Sequence, residues 1–426
     1  MRKLNPYMQV ALTANIFEWY EFALTGYMAL EIGRLFFPRG GDQIAVILSF
    51  SVFAVSYVAR PIGGIFLGLW GNKRGAAAAL KLSMLLMAVP TVAIAVLPTY
   101  TSVGYWATGA LLALKMLQGF GAGGEVPMNA YYVSQNVPDQ SRGFYCAMVA
   151  TSGFIGMLFA SLVVFLLPST IATISSYLPA WLLASRLGET WRWPFLLSLP
   201  LSLLIMRIRS SLPDRPANRM PAVAVRVGKP VVPILQAIVL VGFMAAHLNT
   251  VFVWLPNYLH VYLGVALDLA RMTNVASLIA LAITILSAGY CVRWIDARKL
   301  AFAGICVMLL SSYPLFMVLQ RADSITVFLV QIGFALSAGI LIGVVFVLLV
   351  DLFESNWGSL GVGAGFGVPT ALFGGTAPVV SSYLIERTQL LVAPALYITA
   401  LGLFALPVAY RLAFNARAQG AEVVAV

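Results

Sequence analysis

Charge is scarce in this chain. Of 426 residues only 10% are Asp, Glu, Lys or Arg, against ~25% in a soluble globular domain. A chain this long would form two or three soluble cores, and too few polar residues exist to cover them. Histidine is scarcer still, at two residues, and the three cysteines have no metal-ligand spacing. We read Cys146, Cys291 and Cys306 as small apolar fillers. No H-E-x-x-H helix, nucleophile elbow or Cys/His cluster occurs. We therefore expect neither an enzyme nor a metal centre.

What is abundant is apolar sequence: 61% of residues, with a mean hydropathy of +0.92. It comes in runs of about 20 or more, the length of a membrane-crossing helix. The fold class this predicts is an all-α polytopic membrane protein. Twelve spans are legible, roughly 8–36, 44–71, 79–98, 103–133, 144–167, 190–208, 231–262, 270–292, 299–319, 324–350, 359–386 and 391–413. The N-terminus (MRKLNPYMQVALTANIFEWYEF) begins like a signal peptide. It places Glu18 and Glu21 inside the apolar run and shows no small-residue cleavage site, so we keep it as the first span. The net charge of +11 gathers in alternate loops, as at Lys73, Arg74, Arg142, Arg207 and Arg298. That is the positive-inside bias, and it places both termini in the cytoplasm. The charge is a topology signal, and no nucleic-acid partner is expected.

The longest polar interruption, RSSLPDRPANRMPAVAVRVGKP, runs from Arg209 to Pro230 and divides the spans six and six. We expect an N-terminal six-helix bundle over 1–208, a cytoplasmic linker over 209–230 and a C-terminal bundle over 231–414. A short cytoplasmic tail would follow over 415–426. The basic turns GLWGNKRGAA and GYCVRWIDARK fall at the same place in each half. Two parallel halves suit a rocking transporter with its site near the midplane. Small residues four apart, such as Gly64 and Gly68 or Gly119 and Gly123, let helix backbones approach closely in lipid.

Several charges lie where lipid forbids them. A charge at the centre of a span costs ~2.5–3.5 kcal/mol on insertion scales. NIFEWYEF puts Asn15, Glu18 and Glu21 on one helix face at spacings of three. Glu18 lies ~15 Å in from Met8, and Arg60 ~16 Å from the inner end of its span. Lys115 sits near the middle of the fourth span, with Gln118 one turn on and Glu125 further along. Two readings stand side by side for each charge. Glu18 or Glu21 is a structural partner of Arg60 or Lys115, or at least one of them exchanges a proton during transport. Lys115 is a counter-ion, or it meets an anionic group of a substrate.

His247 and Asn249, in FMAAHLNTVFVWLPNYL, are further candidates for substrate contact. A lone histidine in an apolar helix is more often a satisfied hydrogen-bonding residue. Trp254 and Tyr258 line a cavity or belong to an interfacial aromatic belt. Trp19, Tyr20 and Phe22 flank the acids, where an aromatic ring can hold an organic ammonium by cation–π attraction or simply pack.

KMLQGFGAGGE (Lys115–Glu125) spells G-x-G-x-x-G, the spacing of a dinucleotide-binding turn. That turn needs a strand before it and a free helix N-terminus after it. Here the glycines follow the helical run YWATGALLALKMLQ inside one span. We read them as a smooth face for a neighbouring helix, with Lys115, Gln118 and Glu125 on the same helix.

ANIFEWYEFALTGY, SYVARPIGGIFLGLWGNKRG, KMLQGFGAGGE, SRGFY (Ser141–Tyr145), WRWPFLLSLPLSLL and ALFGGTAPVVSSYLI together resemble the metabolite:proton symporter family of the major facilitator superfamily. The match runs in order from about Ala14 to Tyr410. The resemblance implies twelve helices in two pseudo-repeats, alternating access and proton-driven symport, with no cofactor beyond the proton gradient. It also implies a bacterial inner-membrane location. The lysine in KMLQGF is most similar to the proline/betaine branch. The family's cytoplasmic gating signature survives only as GLWGNKRGAA. Asn72 replaces an aspartate beside Lys73 and Arg74, and Ala76 and Ala77 replace a basic pair. Its second-half counterpart has Arg293 where an acid is usual. Loss of these charges would alter the conformational balance or move the gate clamp to other pairs.

The expected function is proton-coupled import of a small zwitterionic or carboxylated organic solute such as proline or betaine, by a monomer in the lipid bilayer. Glu18 and Glu21 would carry the proton. Arg60 and Lys115 would supply positive charge, and Gln118 and Asn15 hydrogen bonds. The alternatives are a di- or tricarboxylate symporter of the same family, an uncoupled facilitator or exporter, and last a non-transporting receptor.

Overall fold

The computed structural model describes residues 6–38, 40–74, 76–123, 125–135, 137–174, 189–210, 231–353 and 358–415. Among these the chain is helical throughout, with no strand. In order the helices are α1 (Pro6–Tyr27), α2 (Ala29–Phe36), α3 (Asp42–Arg74), α4 (Ala76–Val96), α5 (Tyr100–Val103), α6 (Tyr105–Gly121), α7 (Glu125–Gln135) and α8 (Asp139–Ile174). There follow α9 (Trp193–Leu196), α10 (Ser198–Ser210), α11 (Val231–Leu248), α12 (Leu255–Val261), α13 (Leu267–Cys291), α14 (Ala297–Leu319) and α15 (Ser324–Phe353). The last are α16 (Gly358–Pro369), α17 (Ala377–Thr388) and α18 (Ala393–Tyr410). They fall on the twelve apolar runs read from the sequence, and among the described residues eight helical stretches are long and apolar enough to cross a membrane. Most of the expected linker, and the tail from 416 onward, lie outside the described residues.

Two departures from continuous spans have a visible cause. Residues Asn249–Trp254 and Thr370–Gly374 form wide π turns, and each lies a few residues before a proline, Pro256 or Pro378. Proline has no N–H and its ring crowds the preceding turn, so the helix widens there instead of breaking. The fourth span, expected as one helix over 103–133, ends at Gly121 and resumes as α7 at Glu125. Glycine is a poor interior helix residue. Ser83 Oγ donates to the Gly121 carbonyl at 2.7 Å, satisfying an acceptor that the break leaves open.

The glycines on either side of that break do form a smooth face. A Cβ at Gly119 would lie 1.9 Å from the Ser56 carbonyl oxygen, and one at Gly63 1.8 Å from that of Phe120. At Gly123 it would meet the Arg60 carbonyl at 2.3 Å. The α3 and α6 backbones therefore touch, with only hydrogen atoms between them.

Contacts gather the chain into two compact units. The first takes Met1–Glu125, Ser152–Ala222 and Phe252–Val275; the second takes Val126–Thr151, Val223–Val251 and Ala276–Val426. Within the first, Asn257 donates to the Gly26 carbonyl at 3.0 Å and Arg271 pairs with Glu31 at 2.5 Å. Within the second, Arg142 pairs with Asp351 at 3.0 Å.

Candidate functional site

The first unit assembles most of the candidate polar residues around α1. Asn15, Glu18, Glu21, Lys115 and Gln118 are almost completely buried, and Arg60 is 6% exposed. Helix periodicity explains the convergence. Asn15, Glu18 and Glu21 share one face of α1, while the glycine seam brings α6, with Lys115 and Gln118, close to α3, with Arg60.

Asn15 donates to Ser152 Oγ at 2.8 Å. Arg60 Nη2 lies 3.6 Å from Glu18 Oε1, an ion pair longer than a hydrogen bond. Lys115 Nζ donates to Gln118 Oε1, Gln118 Nε2 to Thr91 Oγ1 at 2.8 Å, and Thr91 to the Met87 carbonyl at 2.8 Å. This chain of donors ties α6 to α4 and fixes the lysine. Glu21 stands beside Lys115, Glu18, Thr91 and Ser198. The hydroxyl protons of Thr91 and Ser198 go to the carbonyls of Met87 and Phe195. Neither Glu21 oxygen has a hydrogen-bond partner among the described residues. Two acids and two bases thus balance formally in a buried cluster. Removing one member would leave its partner buried and uncompensated.

Aromatic rings enclose the guanidinium. The Arg60 Cζ lies 4.1 Å from the ring centroid of Phe22, 4.8 Å from Tyr57 and 5.7 Å from Trp19. Lys115 Nζ lies 5.4 Å from Phe22. Trp19 is held against α8, where a Cβ on Gly153 would come within 2.9 Å of its ring. Tyr20, expected among the lining rings, is turned elsewhere. Its hydroxyl donates to the Pro194 carbonyl at 2.7 Å, and its ring packs on Phe159. Tyr57 escaped the sequence reading, although its spacing of three before Arg60 on a helix places both on one face.

Other candidates separate from this cluster. Glu125 was expected on the same helix as Lys115 but opens α7 beyond the break, and its side chain lies outside the described residues. Trp254 and Tyr258 stack at 4.8 Å and are both 0% exposed, which removes them from a lipid-facing belt. In the second unit, His247 is fully buried between Phe243 and Phe334. Neither of its ring nitrogens has a hydrogen-bond partner among the described residues. Asn249 donates to the Ala245 carbonyl at 2.9 Å.

Of the gating turn, Lys73 and Arg74 are exposed, with Arg74 5.6 Å over the Trp70 ring. The side chain of Asn72 lies outside the described residues. In the second-half counterpart Asp296 caps α14 through the Arg298 N–H at 2.7 Å, so its carboxylate is used locally.

Comparison with known proteins agrees with this architecture. The family described as Sugar (and other) transporter matches residues 7–217. The chain is 29% identical over 424 residues to the ectoine/proline transporter ProP of Corynebacterium glutamicum, covering 93% of this chain and 81% of that one. It is 31% identical over 404 residues to a putative proline/betaine transporter of Staphylococcus aureus, covering 91% and 83%. Among solved structures, a partially occluded inward-open form of the xylose transporter XylE from E. coli superposes with a TM-score of 0.72 at 16% identity, over 96% of both chains. At that identity the likeness speaks for the fold alone, which is that of the major facilitators. Taken with the identity to the staphylococcal protein along nearly the whole chain, it follows that the chain belongs to the metabolite:proton symporter family of the major facilitator superfamily, a family of transporters and not of enzymes.

Proposed function

We propose that the chain imports a small zwitterionic solute, of the kind represented by proline and glycine betaine, together with a proton. The observation that carries this reading is the buried cluster of Glu18, Glu21, Arg60 and Lys115, in which Glu21 accepts no hydrogen bond from the described residues. Protonation of Glu21 removes the negative charge beside Lys115 and leaves the ammonium to the solute carboxylate. Loss of that proton restores the Glu21–Lys115 attraction and expels the carboxylate. Glu18, already paired with Arg60, holds the second base. The names of the relatives support the solute class. His247 and Asn249 remain candidates for substrate contact.

The family supports a matching wider organisation. In this reading residues 1–208 and 231–414 act as two six-helix bundles joined by 209–230. Both termini are cytoplasmic, the protein is a monomer of the bacterial inner membrane, and the proton gradient drives transport.

The test is uptake into proteoliposomes under an imposed proton gradient, with labelled proline, glycine betaine, citrate and 2-oxoglutarate. Uptake of the first two that collapses with the gradient is expected. Uptake indifferent to the gradient overturns symport, and selective uptake of citrate overturns the solute class. Glu21→Gln is expected to lose driven uptake while keeping solute counterflow. If it keeps full driven uptake, Glu21 is not the proton carrier.

A further inference from the structure

The cation held by the aromatic rings at the centre of the first unit is an arginine of the protein itself. Its setting is poor for a structural arginine. Arg60 is 6% exposed, and neither its Nε nor its Nη2 has a hydrogen-bond partner among the described residues. Its pairing with Glu18, at 3.6 Å, is beyond hydrogen-bond reach. Arg192 in the same unit shows the other pattern. It donates to the carbonyls of Ala95 and Leu97 at 2.7 and 2.8 Å and pairs with Glu189 at 3.2 Å. What surrounds Arg60 instead is three ring faces at 4.1–5.7 Å, within the ~6 Å reach of cation–π attraction.

We propose that Trp19, Phe22 and Tyr57 form a binding site for an organic ammonium group, that the Arg60 guanidinium occupies it in the absence of solute, and that an arriving ammonium displaces it. The chemistry selects the ligand. A guanidinium in this cage leaves N–H donors unused, at a cost for each buried one. A quaternary ammonium has no N–H to satisfy, and a secondary ammonium has few, so the rings and the Glu18 carboxylate meet their whole requirement. A primary ammonium would lose three donors to the same surfaces. The displaced Arg60 regains its planar fork, which matches a carboxylate in two hydrogen bonds. One exchange therefore serves both ends of a zwitterion: the ammonium takes the rings, and the released arginine joins Lys115 at the carboxylate. An anion without an ammonium end has nothing to move Arg60, which sets a requirement for positive charge on the solute. This deepens, and rests on, the zwitterion reading given above.

The test separates the two. Equilibrium binding of labelled tetramethylammonium is measured on the purified full-length protein in detergent. Arg60→Gln, with the cage vacated, is expected to bind it at least about tenfold more tightly than wild type. The double variant Arg60→Gln/Phe22→Leu is expected to lose that gain, which rules out simple attraction to Glu18. Equal affinity in wild type and folded Arg60→Gln overturns the proposal. Should Arg60→Gln not fold, Phe22→Leu alone decides. It is expected to weaken both glycine betaine and tetramethylammonium by at least about fivefold. Unchanged affinity for the two overturns the site. A wild type that takes up neither betaine nor proline, beside an Arg60→Gln that gains tetramethylammonium, keeps the cage and overturns only the solute assignment.

Discussion

Arg192 shows how far a single residue's meaning depends on its tertiary partner. In the sequence it is one positive charge at the start of the sixth span. In the structure it is 1% exposed, lies 4.3 Å over the Trp191 ring and satisfies carbonyls at the end of α4. A cation suits that place, because the last carbonyls of a helix are unpaired and carry its negative pole. Arg192→Met is expected to cost about 2–4 kcal/mol, since it strands buried acceptors of a charged donor. The check is a fall of several degrees in the melting midpoint in detergent, with Arg192→Lys in between. Glu18, Glu21, Arg60 and Lys115 were legible as a group because lipid makes any charge in a span conspicuous. The ring partners were less so: Trp19 and Phe22 stand out beside the acids, but Tyr57 looks like an ordinary aromatic residue until Arg60 lies beside it. Tyr20, adjacent to Trp19 in sequence, points to the other side of α1, since neighbours on a helix do not share a face.

Helix by helix, the spans were readable because each is a long apolar run, and their boundaries agree with the structure to within a few residues. The interruptions were not. Hydropathy does not register a break at Gly121–Glu125 or a widened turn at Asn249–Trp254, because neither changes the apolar content. The G-x-G-x-x-G stretch was readable in its helical setting and in its contact with a neighbouring helix, but not in its division between two helices. The contact itself is testable. Gly119→Ala would place a methyl group 1.9 Å from the Ser56 carbonyl, whereas Gly109 on the same helix has open space where a Cβ would go. Gly119→Ala is expected to lower stability by about 1–3 kcal/mol through overpacking. Gly109→Ala is expected to be neutral or to raise it by up to about 1 kcal/mol through helix propensity. Thermal melting of the two variants side by side checks the seam. Equal midpoints would mean that α3 and α6 are not in backbone contact.

For the molecule as a whole, each compact unit contains segments from both sequence halves. Phe252–Val275 belongs with the first half's helices in one unit, and Val126–Thr151 with the second half's in the other. The ion pair Arg142–Asp351 is one such link. Its side chains are 17% and 27% exposed, so the pair is worth about 1 kcal/mol, small enough to open on the timescale of transport. If the halves rock about a central site, this link must break once in every cycle. We expect Arg142→Cys/Asp351→Cys, in a background with Cys146, Cys291 and Cys306 replaced by Ser, to lose driven uptake when joined by a short bifunctional thiol reagent. Uptake should return on reduction of a cleavable linker. The same variant left unlinked should retain a large part of its activity, because the pair contributes little to folding. Undiminished uptake by the linked protein would show that the two segments stay together throughout the cycle, and the moving boundary would then have to lie elsewhere in the chain. A charge exchange makes the same point from the other side. Arg142→Asp alone sets two acids against each other, and R142D/D351R together should restore uptake to within about threefold, as a pairwise coupling of roughly 1 kcal/mol allows.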